Sequence, residues 1–243
     1  MMKENSLKTK KKKFRRLTKL STTSVDNHGH GNNAAHGYGD NSQLYVHVHR
    51  DDYGSKFGMW LFLFTEVLLF GGLFILYYGY RLAYPQDYHN AAMELNIVMG
   101  AVNTLVLLTS SLTMVLSIVA LRRESIKVSL FYLFITFAFG ATFCVNKYFE
   151  WSAKIHHGIY PGSEDLATRP AGELVFFGLY YLMTGLHTFH VIVGMVIMVF
   201  CYVFIKTGTI NSDKYIVLEN AGLYWHLVDL IWIFLFPLFY LLH

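Results

Sequence analysis

Tyr224-Trp-His-Leu-Val-Asp-Leu-Ile-Trp-Ile-Phe-Leu-Phe236 decides how the chain is read. It is an apolar stretch long enough to contribute to a membrane helix, yet Asp229 sits near its middle. Trp225, Asp229 and Trp232 fall at i, i+4 and i+7, on one helical face, and His226 lies one turn before Asp229 on an adjoining stripe. An acid at that depth costs about 2.5–3.5 kcal/mol on insertion scales, so this face should meet protein or water. The rest of the chain is then expected to supply the helices that shelter it.

Four further apolar runs precede it, at about 57–80, 95–121, 128–149 and 174–205, and the last run extends over about 221–242. Each approaches or exceeds the roughly 20 residues that a bilayer core requires, and the fourth is long enough to tilt or project. The composition agrees: 54% of residues are hydrophobic and 15% charged. The fold class expected is all-α, a polytopic bundle of five transmembrane helices.

Residues 1–56 are expected to form a separate polar tail, disordered and cytoplasmic. It holds eleven Lys/Arg against five acids, with a basic cluster from Lys8 to Lys19. That local excess suits anionic lipid and gives no argument for nucleic acid. No apolar core follows the cluster, so a cleaved secretory signal is not expected. His28, His30, His36, His47 and His49 read as a solvated segment before they read as a metal site. Cys144 and Cys201 lie in different apolar runs, without metal-ligand spacing or a disulfide framework.

Loop charges orient the bundle. The tail and the second and fourth connections carry sixteen Lys/Arg, whereas the other side has Arg81, Lys154 and Arg169. The positive-inside rule puts the N-terminus in the cytoplasm and the C-terminus outside. Small residues suggest how the helices meet: Thr136, Gly140 and Cys144 repeat every four, as do Thr109, Thr113 and Ser117, and Asn103 adds a polar packing position.

At a rise of about 1.5 Å per residue, Glu66, His187, His190 and Asp229 all fall in the cytoplasmic half of the core, with His226 shallower. Three roles are open to such a layer. Its members can hydrogen-bond one another and fix helix register. They can handle protons or meet lipid headgroups. His187 and His190, at i and i+3, can also share a face as metal ligands do.

The chain resembles subunit III of the haem-copper oxidases. Gly58-Met-Trp-Leu-Phe-Leu-Phe-Thr-Glu-Val-Leu-Leu-Phe-Gly-Gly-Leu-Phe74 is similar to the family helix with an intramembrane carboxylate, here Glu66. Asn103-Thr-Leu-Val-Leu-Leu-Thr-Ser-Ser-Leu-Thr113, Lys147-Tyr-Phe-Glu-Trp151, Thr184-Gly-Leu-His-Thr-Phe-His-Val-Ile-Val-Gly194 and the Tyr224–Trp232 stretch follow in family order. The resemblance covers about residues 57–243, in the five-helix form without the first two helices of many members.

The resemblance implies an accessory subunit without catalytic, metal or cofactor-binding residues of its own, with haem and copper held by partner subunits. The implied partners are catalytic subunit I and subunit II, together with structural phospholipid. It implies a bacterial plasma-membrane complex that passes electrons from cytochrome c to oxygen, in which this chain supports assembly, stability and proton uptake. Glu66, His187, His190, His226 and Asp229 are then expected to form a buried polar network. The rival readings are a quinol oxidase or nitric oxide reductase branch, a free-standing membrane metalloenzyme, and a proton-coupled transporter.

Overall fold

A computed structural model describes residues 52–212 and 214–241. All regular structure among them is helical. The elements are α1 (Asp52–Ala83), α2 (Pro85–Met93), α3 (Ile97–Arg122), α4 (Ile126–His156), α5 (Glu164–Ala167), α6 (Ala171–Lys206) and α7 (Ile216–Tyr240). Five of them, α1, α3, α4, α6 and α7, are long and apolar enough to cross a membrane. The chain is a multi-pass, all-α membrane protein.

The helix limits differ from those read in the sequence, and paired charges explain much of the difference. α1 begins at Asp52, so residues 52–56 belong to the helix and not to the tail. Lys56 pairs with Glu219 at 3.0 Å, and Asn220 donates to Ser55 at 3.0 Å, which ties the start of α1 to the start of α7. The third run read from the sequence ends at Phe149. α4 continues to His156, since Glu150 and Lys154 turn inward and are buried. α3 starts at Ile97 because Asn96 caps it, its side chain accepting the Met99 N–H at 3.1 Å. α7 ends at Tyr240. The basic cluster and the His-rich segment lie outside the described residues.

The two short helices were not anticipated. Pro85 at the first position starts α2, and the Ser163 side chain caps α5. α2 is held on α6, where the Asp87 carboxylate accepts the Gly172 N–H at 3.1 Å. A Cβ on Gly172 would lie 2.5 Å from that carboxylate, so the approach requires glycine.

α7 organises the core. It packs on α3, α6, α1 and α2, while α4 packs on α3 and α6. Trp225 and Trp232 are completely buried. Trp225 enters between helices: Cβ atoms on Gly140 of α4 and Gly194 of α6 would come within 2.9 and 2.8 Å of its ring. The Trp225 indole donates to Ser110 and the Trp232 indole to Thr104, each at 3.0 Å. These bonds satisfy the polar edge of each ring in an apolar interior.

Among the small residues, Thr136 and Gly140 are buried and Cys144 is half-buried. Thr113 and Thr136 share a 2.8 Å hydrogen bond between α3 and α4, and Ser117 donates to the Ser129 carbonyl at 2.9 Å. Asn103 is buried and accepts from Asn146 at 2.8 Å. Thr109 faces outward and bonds its own helix at Leu105, so the α3 seam passes through Ser110 instead.

Candidate functional site

The five ionisable residues singled out in the sequence separate into distinct environments. Glu66 of α1 and His190 of α6 come together, Oε2 to Nε2 at 2.9 Å, with side chains 14% and 11% exposed. His190 Nδ1 lies 2.7 Å from the Leu186 carbonyl oxygen, which can only accept, so Nδ1 carries a proton. Nε2 then either accepts the proton of a neutral Glu66 or donates its own to a carboxylate. The pair shares one proton along a preformed bond, and its two forms need no rearrangement of heavy atoms.

The other three are apart from this pair. His226 Nδ1 meets the Ser111 hydroxyl at 2.6 Å. Asp229 is 3% exposed, and neither carboxylate oxygen has a hydrogen-bond partner among the described residues. Ser111, the partner of His226, is also the polar group beside Asp229. His187 is fully buried between the rings of Phe143 and Trp232, and neither nitrogen has a hydrogen-bond partner among the described residues. The layer expected from depth divides into the Glu66–His190 pair, His226 and Asp229 about Ser111, and His187 among aromatic rings. Depth along each helix was readable from the sequence; the rotation of each helix about its axis, which decides who faces whom, was not.

A second constellation, unrecognised as such in the sequence, lies toward the opposite end of the bundle. Lys147 and Glu150 of α4 are 1% and 5% exposed and pair at 3.1 Å. Tyr180 of α6 and Tyr240 of α7 donate to Glu150 Oε1 at 2.8 and 2.5 Å. Lys147 in turn donates to Tyr240 at 3.0 Å and to Tyr180 at 3.3 Å. The ammonium also stands 4.9 Å from the Trp232 ring centre. Four side chains from three helices close a network that compensates both charges. A Lys and a Glu at i, i+3 at the end of an apolar run was the available signal.

Around that end, Arg169 bonds Glu94 at 2.6 Å and Glu173 at 3.3 Å. The Glu94 hydrogen bond foremost holds the guanidinium above its ordinary pKa. At the first end, Glu219 is shared between Lys56 and Arg122. Among the described residues no three His, Cys, Asp or Glu side chains converge to hold a metal ion.

The sequence profile described as "Cytochrome c oxidase subunit III" matches residues 40–243. This chain belongs to the cytochrome c oxidase subunit III family. It is similar to cytochrome c oxidase subunit 3 of Thermostichus vulcanus, with 30% identity covering 81% of this chain and 91% of that one. The subunit 3 of Alkalihalophilus pseudofirmus is 32% identical over 76% of this chain and 85% of its own. An Aeropyrum pernix protein named haem-copper oxidase subunit I+III is 28% identical over 75% of this chain and 22% of its own. As a subunit III family member, the chain is an accessory subunit of an oxygen-reducing respiratory oxidase and is not catalytic alone.

Proposed function

We propose that the chain flanks the haem- and copper-bearing subunit I, with subunit II in the same complex, and that it steadies subunit I and assists its proton uptake. One observation carries the reading. The Glu66–His190 pair sits at the edge of α1, the least covered helix of the bundle. Of the central apolar stretch of α1, 11% is buried, against 28–50% in the other four.

The outward face of α1 is suited to a partner helix. Gly58, Thr65, Gly72 and Gly79 recur every seven residues, all exposed, and Leu61, Leu68, Ile75 and Leu82 run beside them. A Cβ on Gly58, Gly72 or Gly79 would meet nothing within 4 Å, so the groove is open to close backbone approach. A relative that carries subunits I and III in one chain supports adjacency of the two. Proton exchange through the shared Glu66–His190 bond, next to that face, is the chemistry this arrangement offers.

The membrane is the bacterial plasma membrane, with the N-terminus cytoplasmic and the C-terminus external. Loop charge supports this: Lys56, Arg122, Arg123, Lys127, Lys206 and Lys214 cluster at the first end, and Arg81, Lys154 and Arg169 lie toward the second.

Purification of the chain in mild detergent tests the assignment. Haem and copper should copurify with it, and a single polypeptide free of haem would overturn the reading. Glu66→Gln should assemble with normal haem content and slow oxygen consumption only in part. Complete loss of turnover with haem content intact would show that Glu66 acts in the oxygen chemistry itself, against an accessory role.

A further inference from the structure

We propose that Tyr180 and Tyr240, which share the Glu150 carboxylate, form a one-electron redox site that is reached from the surface through Trp151 and Tyr181. Losing an electron makes a phenol strongly acidic. A tyrosine therefore gives up its electron most easily where a base takes the proton in the same step.

Glu150 is such a base for two rings at once. The Tyr180 and Tyr240 hydroxyls donate to its Oε1 at 2.8 and 2.5 Å, so the path of the proton is already a short, charge-assisted hydrogen bond. Lys147 donates to Oε2 at 3.1 Å and to both phenol oxygens, and holds the three oxygens in place when the proton moves. Both tyrosines are completely buried, which shields a radical formed there from water and solutes. Among the described residues these are the two tyrosines whose hydroxyls donate to a carboxylate. Those of Tyr77, Tyr181 and Tyr224 donate to backbone carbonyl oxygens, which are too weakly basic to keep a proton.

A row of oxidisable rings leads to the pair. Trp151 of α4 is half-buried, with its ring centre 5.5 Å from that of Tyr181 on α6. The Tyr181 ring lies 5.3 Å from Tyr180, and the Tyr180 and Tyr240 oxygens are 3.5 Å apart. The Trp151 indole N–H has no acceptor among the described residues, so an oxidised Trp151 keeps its proton and remains a strong oxidant. The hole is then passed inward and stops where Glu150 can accept a proton.

The balance is simple. A one-electron oxidant at the surface, such as an oxygen-derived radical, is reduced by Trp151, which is refilled through Tyr181 from Tyr180 or Tyr240. The O–H bond of that tyrosine breaks, its proton goes to Glu150 Oε1, and a neutral tyrosyl radical remains. A one-electron reductant returns the electron, and Glu150 returns the proton.

The test uses the purified complex, with haem content measured in each sample, so that failed assembly is distinguished from a missing radical. Water-soluble ruthenium(III) tris-bipyridyl, generated by a flash, is the oxidant, and freeze-quenched electron paramagnetic resonance is the readout. Wild type should show a tyrosyl signal that narrows with ring-deuterated tyrosine and vanishes with ascorbate. Tyr180→Phe combined with Tyr240→Phe should lose it, and any signal left belongs to tyrosines elsewhere in the complex. Each single change leaves one phenol on Glu150 and should keep a signal with altered hyperfine splitting. Trp151→Phe leaves the pair intact and should lower the radical yield per flash. Equal signals in wild type and the double variant, single variants with the wild-type splitting, or an unchanged yield in Trp151→Phe would overturn the proposal.

Discussion

Removal of Glu150 should damage the protein more than removal of its partner Lys147. Glu150→Gln leaves an ammonium that is 1% exposed facing two phenol oxygens and no carboxylate. Breaking a buried pair in this way costs about 3–5 kcal/mol. Lys147→Met leaves Glu150 with two hydroxyl donors, at 2.8 and 2.5 Å, and an apolar side chain of matching length in the vacated space. Its penalty should fall near the lost charge-assisted bond, about 1.5–3 kcal/mol. The double variant removes both charges, and the glutamine carbonyl still accepts from Tyr180 or Tyr240. It should cost less than Glu150→Gln alone, with a coupling of about 2 kcal/mol or more. The assay is loss of helical circular dichroism in the purified complex on titration with a denaturing detergent, for wild type, both singles and the double. Additive single effects, or an undamaged Glu150→Gln, would refute the argument that this network compensates two buried charges.

Other outcomes follow from close contacts and open space. Gly140→Ala places a Cβ 2.9 Å from the Trp225 ring and 3.3 Å from Met195, and should cost about 1–3 kcal/mol in the same titration. A Cβ on Gly72 meets nothing within 4 Å among the described residues, so Gly72→Leu should keep the helicity and stability of the isolated chain while haem copurification falls. His190→Phe removes the partner of Glu66, and should slow turnover to the same extent as Glu66→Gln, with the two changes together no worse than either. Additive losses would show that the two residues act separately. Reporters fused in the connections after Arg122 and after Lys206 should read cytoplasmic, and one after His157 external.

The sequence by itself determined the class of fold. Long apolar runs in lipid have helices as their economical solution, because every backbone N–H and C=O must find a partner within the segment. Ordered motifs around Glu66, Asn103, Lys147, His187 and Asp229 were enough to state the family resemblance. The depth of each ionisable group also followed, since rise per residue is constant. Tertiary structure decided the pairings. His226, one turn from Asp229 in the sequence, takes its hydrogen bond from Ser111 on another helix, and Glu66 finds its partner 124 positions away at His190. Lys147 and Glu150 lie at the end of an apolar run, and become its buried anchor only when Tyr180 and Tyr240 arrive from two other helices. Pairing depends on helix rotation, and rotation is set by where bulky rings can enter: Trp225 fits because Gly140 and Gly194, on different helices, leave the space for it.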